Sequence, residues 1–182
     1  MLSRICLVFF LVLTGISADA SEPSTWNTTE INKDPWVLID SGRYGEPAIQ
    51  ATSVGIGHAA IEVATMSIDC HSGEMIPNIR YSFAANKGLN HLDWWQEVSE
   101  SIVVEVGSMD FDFSRTTYNV GYHPYMISDD DKIHKFFSAL SKANGDITIK
   151  VKVPDNGQVR KLNLSIKNYR QLYNSLSARC SE

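Results

Sequence analysis

The chain has 182 residues, of which 43% are hydrophobic and 20% charged, and a formal net charge of -5. That length suits one domain with a real core. An acidic balance without a basic stripe argues against nucleic acid as a partner, and suits solubility or contact with a basic protein.

Met1–Arg4 gives a short positive start, and Ile5 to Leu13 is an apolar run too short to span a bilayer. Ala18-Asp19-Ala20 follows as an A-x-A cleavage signature. Residues 1–20 are therefore expected to be a signal peptide, cut after Ala20, with the mature protein secreted or periplasmic. No later apolar stretch reaches spanning length, so no membrane span is expected after cleavage. Cys6 stands too early in the run to be a lipoprotein attachment cysteine. Residues 21–34 read as a flexible polar leader, and 35–182 as a single β-rich globular domain.

Trp36–Asp40 reads as a first strand, broken by the turn residues of Ser41–Pro47. Ala48–Val54 is a second strand. Ala59–Cys70 alternates, but Ile61 and Val63 have one parity and Met66, Ile68 and Cys70 the other. A strand with a bulge near Ala64 accounts for the slip, and a helix fits by propensity alone. Arg80–Ala84, Ile102–Val106, Asp110–Phe113 and Thr116–Val120 are short, β-branched or aromatic, and bounded by breakers. Asn86–Glu100 is polar and carries Trp94-Trp95, with a helical turn possible.

Ser128 then caps a helix with Asp129–Asp131 in its first turn, where the dipole favours negative charge. Ile133, Phe136, Phe137 and Leu140 form its apolar face. Asp146–Val153 alternates without a slip, Pro154–Gly157 is a turn, and Val159–Leu164 returns as a hairpin. Ser165 caps a last helix with Ile166, Tyr169, Leu172, Tyr173 and Leu176 on one side. The order implies an α+β fold: mainly an antiparallel sheet or sandwich, with two covering helices near the C-terminus.

Removing Cys6 leaves Cys70 and Cys180, which in an oxidising compartment most simply form one disulfide. Closing so long a loop contributes on the order of 4–5 kcal/mol by chain entropy. Neither cysteine has the spacing of a metal site or a nucleophile.

Gly55-Ile56-Gly57-His58-Ala59-Ala60 matches a loose dinucleotide loop, but the pattern requires a helix after it and reads better as a turn between strands. His58, His71, His91, His123 and His134 show no zinc spacing. Asp69, His71 and Glu74 are candidate ligands at a strand end, with surface polarity beside a disulfide as the plainer reading. Asp129–Asp131 lacks calcium-loop spacing and reads as a helix start. Asp110 and Asp112 share one strand face, a weak signal for paired carboxylates. No metal, cofactor or catalytic residue is therefore assigned. Asn27 and Asn163 head glycosylation sequons, relevant only in a eukaryotic host.

Trp94, Trp95, Tyr118, Tyr122, His123 and Tyr125 fall in loop-like stretches and could serve contact or core. Arg43 and Tyr44 sit in the turn SGRYG, whose tip could enter a partner's cleft. Arg43, Tyr44, Trp94 and Trp95 are the expected partner-binding residues.

The C-terminal half has a cysteine after a strand (Cys70) and a tryptophan-bearing middle (Trp94, Trp95). It continues with a helix with an F-x-x-L core (Phe137 to Leu140), a hairpin, and a last helix ending in Leu172, Leu176 and Cys180. This layout resembles small periplasmic proteins of the VasI type, associated with type VI secretion, and the invasion-associated locus B group. Leu164-Ser165 through Leu176 and Cys180 carry the most specific part of the likeness. The resemblance implies a β-sandwich-like domain with an accessory or binding role in the bacterial envelope.

Three functions follow as expectations. The first is a secreted or periplasmic non-enzymatic domain that binds another protein. The second is an inhibitor or immunity protein, lysozyme-inhibitor-like, using the SGRYG loop. The third is a secreted hydrolase whose pocket gathers several of Asp69, His71, His91, Asp110 and His123.

Overall fold

Alternating burial governs the strands of this chain. The computed structural model describes residues 27–28, 35–42, 44–56, 60–86, 92–93, 100–116, 124–152, 157 and 159–181. The first half forms β1 (Asn27–Thr28), β2 (Trp36–Ile39), β3 (Ala48–Ile56), β4 (Ala60–His71), β5 (Glu74–Asn86) and β6 (Leu92–Asp93). Then come β7 (Ser101–Val106), β8 (Met109–Arg115), β9 (Tyr125–Met126) and helix α1 (Asp130–Lys142). A hairpin of β10 (Ile147–Lys152) and β11 (Val159–Leu164) leads to α2 (Tyr169–Cys180).

All strands belong to one antiparallel sheet, in the order β1-β3-β4-β5-β9-β8-β7-β10-β11. β2 lies beside β1 against β3, and β6 pairs with β5. This is the expected α+β architecture, built as one sheet rather than two stacked ones. The sheet curls until β11 meets β3: Ser53 Oγ donates to the Asn163 carbonyl at 2.8 Å. A Cβ on Gly55 would lie 3.3 Å from Leu162, so the glycine permits that approach. Inside the curl, Ile102 and Val104 of β7, Ile147 and Ile149 of β10, and Met66 and Ile68 of β4 join one core with both helices.

The bulge expected near Ala64 is absent. β4 keeps one register with β3 from Ala48↔Asp69 to Ile56↔Ile61, and one with β5 along its whole length. Glu62, Ala64, Met66, Ile68 and Cys70 share the inward face without a slip. The parity puzzle arose because a glutamate occupies a core position. β5 begins earlier than Arg80 and includes Pro77, paired with Ile68. β9 pairs only with Asn78 and Ile79 there, so Pro77 faces no second strand that would need its missing N–H. Thr116 lies just past β8, and residues 117–120 of the strand expected there lie outside the described residues.

α1 starts one residue later than expected. Asp129, not Ser128, is its cap, accepting from the Lys132 N–H at 3.1 Å. Phe136 meets Phe111 and Phe113 edge-on, at 5.2 and 5.3 Å between ring centres. Phe137 reaches Tyr173 of α2 at 5.6 Å.

Ser165 does not cap α2. The helix begins at Tyr169, after Asn168 in the left-handed conformation at φ 57°. The Asn168 amide is used elsewhere: its Nδ2 donates to the Trp36 carbonyl at 2.9 Å, and its Oδ1 accepts from the Trp36 N–H at 3.3 Å. Trp36 Nε1 donates to the Ser165 carbonyl at 2.9 Å, and the indole meets Tyr169 edge-on. One end of α2 is thus clamped to β2. The other is covalently held, because Cys70 and Cys180 form a disulfide with Cα atoms 5.5 Å apart. No described helix is long and apolar enough to cross a membrane.

Candidate functional site

The SGRYG turn is fastened down. The Gly42 N–H donates to the Glu46 carbonyl at 2.6 Å, and Gly45 takes a positive φ of 78°. The Tyr44 ring stacks on His71 with 4.1 Å between ring centres, and the Glu46 carboxylate accepts from the Ser72 N–H at 3.2 Å. The turn is therefore tied to the β4–β5 hairpin tip. Of the four expected contact residues, Tyr44 alone is placed. Arg43, Trp94 and Trp95 lie outside the described residues.

Beneath this turn lies a polar well of about 260 Å³ between Gly42, Gln50, Ser67, Asn78 and Arg80. Asp69 is buried in its wall, accepting from Ser67 Oγ at 3.1 Å and from Asn78 Nδ2. Arg80 donates to Gln50 Oε1 at 2.8 Å. A Cβ on Gly42 would stand 2.6 Å from both Asp69 Oδ1 and Ala48 Cβ, so only glycine lets the turn close over the carboxylate. These polar groups bond to one another, which describes a structural network.

A larger concavity of about 620 Å³ lies between β8 and α1. Phe111 and Ile127 form its apolar floor, both buried, and Met109 is 45% exposed at its end. Lys132, Lys135 and Lys142 of α1 rim it, all exposed, and none has a carboxylate partner among the described residues. The opposite wall is the strand Met109–Asp112. The Asp110 side chain leaves towards the other sheet face, where Lys150 bonds it at 3.1 Å and also pairs with Glu105. Hydrogen bonds to Glu105 first, then Asp110, raise the Lys150 pKa.

No family model, curated protein or solved structure matches the chain. The site therefore stands on its own geometry.

Among the described residues expected to form a hydrolase pocket, Asp69, His71 and Asp110 are not gathered. Asp69 lines the polar well and Asp110 the β8–α1 groove. His71 lies under Tyr44, and His91 and His123 fall outside the described residues. His71 and Glu74 pair across the β4–β5 hairpin, but with Asp69 they form no metal-holding group: Asp69 bonds Ser67 and Asn78, while His71 stacks on Tyr44. Among the described residues no group of three or more histidine, cysteine or acidic side chains is placed to hold a metal. Gly55-Ile56 ends β3, and β4 begins at Ala60, so a strand stands where a dinucleotide loop needs a helix.

Sequence reasoning missed two features. Glu62 is 1% exposed and pairs with Arg160 of β11 inside the curl. Tyr81 adjoins the pair; burial first, then Glu62, pushes its phenol far up. The groove was missed because its walls, β8 and α1, are distant elements whose adjacency only the sheet order defines.

Proposed function

We propose that this is a secreted or periplasmic, non-enzymatic domain that binds another protein, with the β8–α1 groove as its contact surface. The groove carries the reading: an apolar floor, a cationic rim and the size of a binding cleft occur together. The signal-like N-terminus and the disulfide favour an oxidising compartment. The envelope accessory role implied by the VasI and invasion-associated locus B likeness agrees with it. The test is affinity capture from envelope and culture-fluid extracts with the oxidised mature protein, beside a Lys132→Glu/Lys135→Glu variant. One stoichiometric partner, lost from the variant, is the expected result. Equal capture by both would place the contact elsewhere.

A second reading is an inhibitor that inserts the SGRYG turn into an enzyme's cleft. It is favoured by the rigidity that the Tyr44–His71 stack and the Gly42–Glu46 bond give that turn. Arg43→Ala and Tyr44→Ala should then abolish inhibition of a lysozyme panel with the fold intact. Unchanged inhibition would sink it.

A further inference from the structure

We infer that the open edge of β8 receives an extended acidic segment of the partner as an added β-strand. This rests on the protein-binding reading and specifies how the groove binds. β8 pairs with β7 from Met109 to Ser114, but with β9 only at Ser114 and Arg115. Among the described residues, Met109–Phe113 thus has a strand neighbour on one side only.

Two backbone bonds fix which groups face the open side. The Arg115 N–H donates to the Glu100 carbonyl at 2.8 Å, towards β7. The Thr116 N–H donates to the Pro124 carbonyl at 3.0 Å, away from β7. Strand alternation carries this back along β8. The N–H groups of Phe113 and Phe111 point to β7, and those of Asp112 and Asp110 point into the groove. A strand edge with outward N–H and C=O groups is a template for an incoming extended chain.

The rim specifies the chemistry of that chain. Lys132, Lys135 and Lys142 stand over the edge in a protein of net charge -5. Lys132 sits in the first turn of α1, where the helix dipole disfavours a cation, so local helix stability does not account for it. In an added strand every second side chain would face α1, its lysines and the floor of Phe111 and Ile127. The intervening ones would face the Asp110 side of the sheet, where further acids would be repelled. The expected ligand therefore has acidic and apolar residues at alternate positions, separated by uncharged ones.

The probe is an eight-residue peptide alternating threonine with glutamate and leucine. Three measurements on the full oxidised protein decide the matter: fluorescence anisotropy, residue-resolved amide exchange, and sedimentation. Binding should slow exchange at Asp110 and Asp112 but not at Phe111, whose N–H already meets β7. It should weaken with salt, and roughly tenfold in the Lys132→Glu/Lys135→Glu variant. A peptide with lysine for glutamate, or with N-methyl groups on its β8-facing amides, should not bind. The inference is overturned if no peptide binds, if the N-methylated peptide binds equally, or if Asp110 and Asp112 exchange is unchanged. It is also overturned if sedimentation shows a dimer and dimerisation alone slows exchange at Asp110 and Asp112. Peptide failure with lysine-dependent capture retained would remove strand addition alone and leave the protein-binding reading standing.

Discussion

Glu62 breaks the apolar alternation of β4 with a buried charge. Its carboxylate sits at an inward position of β4, where an apolar residue is the rule, and Arg160 lies 98 positions away in sequence. Local pattern sees a break in parity; only the curl of the sheet supplies the counter-charge. Such a pair is weak evidence of net stability, because desolvation offsets most of the attraction, but breaking it leaves an uncompensated charge. Glu62→Gln should therefore cost about 2–3 kcal/mol, at or below the low end for buried pairs because Arg160 retains some solvent contact. Replacing both, as Glu62→Leu with Arg160→Met, should recover most of that loss. Urea unfolding of the three proteins checks this, and a double variant no better than the single one would refute it.

The elements most legible in the sequence were those whose signal is local. The β10–β11 hairpin follows an unbroken alternation, with Ile147, Ile149 and Val151 buried as expected. α1 follows a strong acidic start and one apolar face, with its cap off by one residue. The α2 boundary was hidden because the residues around it serve β2: Asn168 and Ser165 bond Trp36, well over a hundred positions back. β9 is two residues long and exists only through β5 and β8, so no pattern could announce it. The same non-locality hid the groove, whereas counting cysteines sufficed for the disulfide. That bond closes a separation of 110 residues, so Cys70→Ser with Cys180→Ser should lower stability by about 4 kcal/mol. Trp36 should keep its emission until the main transition, because its bonds to the start of α2 do not involve the cysteines. A denaturant midpoint unchanged by the double substitution would contradict this account.

At the scale of the whole molecule, the core is shared between the sheet and both helices, and four phenols are drawn into it. Burial is the leading cause that raises the pKa of Tyr81, Tyr125, Tyr169 and Tyr173 above the ordinary 10.0. Their linkage to folding has a definite sign. Below pH 10 they are neutral in both states and their contribution is fully present. Above it the unfolded chain releases protons that the folded chain keeps, so stability falls progressively with rising pH. The midpoint of urea unfolding should hold between pH 8 and about 9.5 and decline beyond 10. Tyr169→Phe should flatten that decline, and an unchanged slope would mean that the phenol is not held neutral by the fold.

The disulfide also sets an order of events during biogenesis. Cys70 ends the inward row of β4, but its partner is made only 110 residues later. By then every strand from β5 to β11 has been synthesised, and the curl can have formed without a covalent link. The lock therefore cannot close before those strands have been made. An oxidant acting on a nascent chain would find Cys70 without its mate. Oxidation therefore requires the chain through Cys180, and its rate should report the docking of α2 rather than the pairing of strands.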